Sequence, residues 1–232
     1  MSLLTIVILY CSFVMGRYFW DSFQNYRLNN QLRNTFQSED TLKQGGERNL
    51  FDFESLLQIN PDVVGWVKIK DTKIDYPVLQ AKDNNYYLNH NIHRKHAKAG
   101  SIFMDYRNKR DRTDKNTIIY GHHMKDGSMF KDLVKYKDKD FLKAHPIIEL
   151  DTLKKITKWE IFSMYVTDTD FDYNRTYFAG DEEYEVLLRE IQSRSIFKTD
   201  IEVTKEDKIL TLSTCTYEFD NARFTVHGKL IE

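Results

Sequence analysis

From residue 63 onward the chain breaks into short apolar runs rich in β-branched and aromatic residues, with turn or charged residues between them. Val63 to Ile69, Ile74 to Leu79, Ser101 to Asp105, Thr117 to Tyr120, Ile147 to Leu150, Lys158 to Thr167, Lys208 to Cys215 and Arg223 to Ile231 read as strands. About eight such runs predict a mostly β chain closed, or nearly closed, into a barrel. The period turns helical over Asp181 to Arg194, between the sixth and seventh runs. There Tyr184, Leu187, Leu188 and Ile191 form one apolar stripe, acids fill the first turn, and Arg189 and Arg194 sit towards the end. Leu50, Phe53, Leu56 and Leu57 also recur at helical spacing before Asn60-Pro61, which predicts a short helix lying on the core.

The N-terminus is patterned differently. Leu3 to Gly16 is apolar apart from Thr5, Tyr10, Cys11 and Ser12, and Arg17-Tyr18-Phe19-Trp20 extends it, with a snorkelling arginine and interfacial aromatics. Residues 3–20 as a helix span about 27 Å, near the roughly 30 Å of a hydrocarbon core. Residues 1–20 are therefore read as an uncleaved membrane anchor. A cleaved signal peptide would carry a basic n-region and a small-x-small site, and this chain shows neither. Residues 21–49, polar and rich in Asn and Gln, read as a stalk that ends in a hinge at Gly45-Gly46. Residues 50–232 form one domain.

Composition narrows the function. At 232 residues, 41% hydrophobic and 14% aromatic, the chain can bury one good-sized core without a second domain. A formal net charge of -1 argues against a nucleic-acid partner. Two cysteines, one of them in the N-terminal apolar segment, leave no disulfide framework. No glycine-rich phosphate loop is visible, so no nucleotide cofactor is inferred. His90, His93 and His96 recur every third residue, but basic neighbours surround them and no Asp, Glu or Cys follows at ligand spacing, so no metal site is assigned.

Cys215 closes the seventh run, and Arg223 follows it at the start of the eighth. Alternation puts Thr211, Ser213 and Cys215 on one face and Leu210 and Leu212 on the other, so the thiol lies on the polar face. A lone thiol there, beside an arginine, fits a nucleophile next to an anion stabiliser, although a small core hydrophobe is the alternative for any single cysteine. The fourth run leads to His122 in the same way, with Ile118, Tyr120 and His122 on one side.

These motifs resemble the sortases, the cysteine transpeptidases of Gram-positive bacterial surfaces. Thr211-Leu212-Ser213-Thr214-Cys215 matches the TLxTC signature. Ile119-Tyr120-Gly121-His122, with Met124 and Met129-Phe130, and Arg223-Phe224-Thr225-Val226-His227 resemble the rest of the catalytic pattern over about residues 50–232. The long helix between strands six and seven looks like the insertion that marks class B. The resemblance implies an eight-stranded sortase-type β-barrel with N-terminal helices. It implies Cys215 as nucleophile, His122 as general acid and base and Arg223 as ligand of the oxyanion or of the substrate backbone. It further implies that Asn84, Leu88 and Tyr173 meet the substrate; Tyr120 and Ser213 share a face with their catalytic neighbours and should line the groove. His123, next to His122, reads as a solvated loop side chain. The partners implied are secreted proteins bearing a C-terminal sorting signal, LPxTG-like or NPxTN-like. The acceptor would be an amine of a peptidoglycan precursor or cell-wall peptide.

The resemblance puts the catalytic domain outside the cell, held to the membrane by one N-terminal helix. Arg17, Arg27 and Arg33 follow the apolar segment and no Lys or Arg precedes it, so the positive-inside rule points the other way. Two other readings use the same residues. A cell-wall cysteine peptidase or amidase would release its product to water, and a non-catalytic membrane-tethered barrel would keep Cys215 and His122 as packing residues.

Overall fold

The computed structural model describes residues 3–41, 53–152 and 156–232. Helix α1 (Leu3–Thr41) runs unbroken across the expected boundary between anchor and stalk. Its N-terminal part is exposed, and an 18-residue window there has a mean hydropathy of 1.6 with none of it buried, so by length and composition this helix can cross a membrane. Further along, Asn29 and Leu32 become buried against the domain. The Gly45-Gly46 hinge and Leu50 lie outside the described residues. Helix α2 (Phe53–Ile59) follows, with Phe53 and Leu56 buried as its period predicts.

Eight strands then close a barrel: β1 (Val63–Lys68), β2 (Asp75–Leu79), β3 (Ile102–Met104), β4 (Asn116–Tyr120), β5 (Ile147–Thr152), β6 (Ile156–Thr167), β7 (Ile209–Cys215) and β8 (Arg223–Leu230). Their order around the barrel is β1-β2-β3-β4-β7-β8-β6-β5, and β5 pairs back onto β1. Two pairings are parallel, β2 with β3 and β4 with β7. The second decides where the chemistry sits. Because β4 and β7 run the same way and β8 runs against β7, the ends of β4 and β7 and the start of β8 share one rim.

Three apolar clusters hold this together. The barrel interior takes Val67, Ile119, Leu210, Leu212, Phe224 and Val226 with others. Outside β1 to β3, Leu32 of α1 and Phe53 and Leu56 of α2 pack with Trp66, Leu79 and Phe103. Outside β6 and β7, the predicted stripe of α4 (Asp181–Arg194) buries Tyr184, Leu187, Leu188 and Ile191 against Phe162, Tyr165 and Ile209. Each such side chain contributes roughly 1.5–3 kcal/mol by leaving water. The helix dipole is matched at both ends, by three acids in the first turn and by Arg194, whose guanidinium stacks 4.1 Å over Phe171.

Three short elements were not anticipated: 3₁₀ turns at Tyr86–Leu88 and Phe130–Lys137, and α3 (Lys139–Ala144). In the second, Phe130, Leu133 and Tyr136 are buried in the barrel cluster at a spacing of three. That is the period of a 3₁₀ turn, and it is too brief to stand out as an amphipathic helix.

Candidate active site

β7 reaches the rim with its polar face intact. Leu210 and Leu212 fill the barrel, while Thr211 and Ser213 turn to the outer layer: Thr211 Oγ1 lies 2.9 Å from His227 Nδ1 and Ser213 Oγ 2.8 Å from the Tyr173 hydroxyl. Cys215 continues that face and is half-buried as a free thiol. In the β7–β8 register Cys215 is the direct partner of Arg223. Residues so paired share a face.

Arg223 is set by the turn before it. Thr216 N–H donates to Ala222 O at 3.0 Å, and Asn221 takes φ 60°, a conformation Asn tolerates well. One guanidinium nitrogen, Nη1, donates to the carbonyls of Asn221 and Ala222, both at 3.1 Å. Among the described residues no acid pairs with Arg223, so it is not a surface arginine neutralised by a carboxylate.

His122 comes next to these two because β4 leaves the sheet at Gly121. The Gly121 N–H still donates to Ser213 O at 3.2 Å, but a Cβ there would stand 2.3 Å from Ile102 Cδ1 and 2.8 Å from the Phe130 ring. Only glycine fits, and the next residue is delivered to the rim half-buried. His122 Nε2 lies 2.7 Å from the Leu88 carbonyl. A carbonyl only accepts, so Nε2 carries the proton and Nδ1 is the nitrogen free to gain or lose one. Among the described residues no hydrogen bond joins His122 to the Cys215 thiol.

His123 departs from expectation. It is buried, with 8% of its surface exposed, rather than solvated. Its Nδ1–H donates to Cys215 O at 3.0 Å, its ring lies 5.1 Å from that of Tyr217, and Nε2 has no partner among the described residues. Burial pushes its pKa down, against the opposing bond to the Cys215 carbonyl. His123 thus ties the exit of β4 to the exit of β7.

The remaining predicted site residues fall into two groups. Asn84 and Tyr120 meet at Asp105, each donating to Oδ2 at 2.9 Å, and Asn84 Oδ1 accepts from Tyr106 N–H at 3.0 Å. Both ends of the Asn84 amide are thereby used within the protein. Arg107 grips Asp105 with Nε and Nη2 at 2.9 and 2.8 Å, a bidentate pair. Burial would raise the Asp105 pKa, but the bonds from Arg107 and Asn84 hold it below the usual carboxylate range. Tyr173 and Ser213 form the second group, with burial raising the tyrosine pKa against the opposing hydrogen bond to Ser213 and the charge of Arg223. Leu88 contributes its carbonyl to His122 and leaves its side chain 39% exposed.

The segment after β6 is held against the outer face of β4 and β7 by residues that sequence reasoning missed. Asn116 Nδ2 donates to the carbonyls of Tyr173 and Arg175 at 3.2 and 3.0 Å, and Asn174 Nδ2 donates to the Tyr120 oxygen at 3.1 Å. With its amide nitrogen so used, Asn116 Oδ1 accepts from Thr211 Oγ1 at 2.8 Å. Thr211 therefore accepts from His227 Nδ1, and His227 Nε2, 2.9 Å from the Tyr165 hydroxyl, is the acceptor there. A buried polar chain from Tyr165 to the 173–175 segment results. The signal for Asn116 was its place two before Ile118 and four before Tyr120, on the same face.

His227 gives this chain a pH dependence. Burial pushes its pKa down from 6.5 to about 3. The unfolded chain binds this proton as pH falls below 6.5 while the folded one does not, so stability is complete above 6.5 and is lost down to about 3. The loss runs at about 1.4 kcal/mol per pH unit, or about 2 kcal/mol from this group by pH 5. Urea melts at pH 7 and pH 5 check it: His227→Asn is expected to be less stable at pH 7 but to have a flatter pH dependence. An unchanged slope would remove His227 as the origin.

A cavity of about 850 Å³ lies elsewhere, between α1 and the 89–99 loop, and none of Cys215, His122 or Arg223 lines it. Within that loop His90 stacks on Tyr86 at 4.2 Å and meets His96 edge-on.

Comparison with known proteins bears on the whole domain. The model of the sortase domain matches residues 67–231. The chain is 48% identical over 182 residues to sortase B of Listeria monocytogenes, a match covering 78% of this chain and 74% of that one. It is 43% identical over 182 residues to sortase B of Staphylococcus aureus, covering 78% and 75%. Among solved structures, the Staphylococcus aureus sortase B–substrate complex superposes with a TM-score of 0.85 at 39% identity, covering 92% of this chain and 99% of that one. Sortase B from B. anthracis in complex with AAEK1 superposes with a TM-score of 0.83 at 42% identity, again covering 92% and 99%.

Proposed function

The chain belongs to the sortase family and is a cysteine transpeptidase of the sortase B type, and on that premise we propose that Cys215, His122 and Arg223 carry its reaction. The observation that carries this reading is the rim itself. A free thiol is paired in register with an arginine that no acid among the described residues neutralises, next to a histidine delivered by the parallel strand.

The Cys215 thiolate attacks the carbonyl carbon of the threonine in the sorting signal. Negative charge moves to the carbonyl oxygen, where Arg223, whose Nε and Nη2 form no hydrogen bond among the described residues, holds it. Protonated His122 gives its proton from Nδ1 to the departing amine, and a thioester remains on Cys215. A cell-wall amine then attacks the thioester, neutral His122 takes its proton, and the thiolate leaves. The new bond is an amide, and thiolate and imidazolium are restored.

Tyr120, Tyr173 and Ser213 line the groove beside this centre, and Leu88 flanks it. The contact with substrate assigned to Asn84 is indirect, through its hold on Asp105 and Tyr106. The apolar part of α1 anchors the chain in the membrane with the domain outside, and the sorting signal is LPxTG-like or NPxTN-like.

The test is to incubate the chain with quenched peptides of both kinds, with and without a wall-type amine. The product is expected to change from acid to amide when the amine is supplied. Acid alone would mark a peptidase or amidase, and failure to react with a thiol-directed vinyl sulfone would mark a non-catalytic barrel. Within this reading Arg223→Lys is expected to be nearly as slow as Arg223→Ala, losing on the order of 100-fold to 1000-fold in turnover, because a point charge does not replace a planar fork. A lysine variant close to the parent rate would show that charge alone suffices.

A further inference from the structure

The cavity between α1 and the 89–99 loop carries four cations on its wall, Arg17 and Arg27 from the helix and Lys95 and Lys98 from the loop, against two acids, Asp21 and Asp126. Asp126 is fixed by Ser128, accepting from its Oγ at 2.6 Å and its N–H at 3.0 Å, and the wall keeps two more cations than acids. Among the described residues none of the four cations forms a salt bridge. Lys98 stands 5.4 Å over the Tyr18 ring and Arg27 5.8 Å over Phe23, contacts that leave both charges uncompensated. A concave wall with this excess of unpaired cations is complementary to an anion.

Its position along α1 says which anion. Residues 3–20 span about 27 Å of helix, so an apolar segment that fills a roughly 30 Å core ends near Trp20. Phe19, Trp20, Phe23 and Tyr26 are 63, 61, 49 and 62% exposed there, an aromatic girdle of the kind that sits at the membrane interface. Arg17, Tyr18 and Trp20 are both at that level and in the cavity wall. The opening therefore lies where lipid phosphates lie.

We propose that this cavity is a binding site for the phosphate headgroup of an anionic membrane lipid, held between Arg17 and Arg27 of the anchor helix and Lys95 and Lys98 of the loop. The proposal rests on the reading of α1 as a membrane anchor. A headgroup there compensates Arg17 and Arg27, two of the residues whose place after the apolar segment argues for an inward domain. It also braces the helix against the 89–99 loop, whose neighbour Leu88 holds His122.

The full chain is reconstituted into vesicles of phosphatidylcholine, with and without phosphatidylglycerol, and the acylation of individual lysines by a water-soluble reagent is followed by mass spectrometry. Flotation with phosphatidylcholine vesicles tests the anchor alone, and failure there would overturn that reading. Each basic residue near an anionic surface is worth roughly five-fold in binding. Lys95 and Lys98 are accordingly expected to be acylated at least about five-fold more slowly with phosphatidylglycerol present, while Lys139 in α3 is unchanged. The Arg17→Gln/Arg27→Gln pair should lose the protection while still cleaving peptide, which shows it folded. Equal rates in the two vesicles, or protection that survives in the double variant, would overturn the site. Equal protection by inorganic phosphate would assign it to a free anion and overturn the lipid.

Discussion

Cys215→Ala is expected to abolish both peptide cleavage and the trapped acyl-enzyme, at a cost in turnover on the order of 10⁴-fold or more, as for loss of a catalytic nucleophile. The change removes one sulfur from a half-buried position at the very end of β7, and among the described residues no hydrogen bond of the thiol is lost with it. The backbone carbonyl of Cys215, which His123 holds, is untouched. The unfolding midpoint should stay close to that of the parent. A variant that still turned over substrate at a sizeable rate, with folding intact, would move the nucleophile away from Cys215, and the only other cysteine, Cys11, lies exposed in α1. Loss of activity together with loss of stability would not count in favour, so the melt is read beside the rate.

What made the barrel legible was local. Runs of β-branched and aromatic residues ended by turns mark all eight strands to within a residue or two, and α4 announces itself by a four-residue stripe with acids ahead of it. The polar face of β7 was equally visible, because alternation is a property of the strand and not of its neighbours. Partners were not visible. Nothing in Asn116–Tyr120 or Ile209–Cys215 states that these two segments pair in parallel, since that contact spans about half of the domain and is fixed by closure of the barrel. For the same reason Asn116, Thr211, His227 and Tyr165 read singly as polar strand residues, and only the register joins them into one chain. His123 was misread because loop residues next to a strand are usually solvated. It is buried because it satisfies a carbonyl at the exit of the neighbouring strand. The switch from apolar to polar near residue 20 is a change of surroundings and not of backbone, and α1 continues through it.

The last prediction separates the paired histidines. His122→Ala is expected to lower turnover by the roughly 100-fold to 10,000-fold usual for a general acid and base, and to flatten the dependence of cleavage on pH. Its ring is half-buried at the rim with Nε2–H fixed on Leu88 O, so on the proposed reading Nδ1 is the nitrogen that exchanges protons with the amine. His123→Asn should act differently. An amide at that position can still donate to Cys215 O, but it gives up the contact with the Tyr217 ring, for a loss of about 1–2 kcal/mol in stability. Its effect on turnover should stay below the roughly 100-fold floor for a lost proton carrier, with the pH profile of the parent retained. Cleavage rates across pH, with circular dichroism melts for both variants, decide between them. If His123→Asn were the dead enzyme with a flat profile and His122→Ala the live one, proton transfer would belong to the buried ring. The site would then have to be rebuilt around the Nε2 of His123, which has no partner among the described residues.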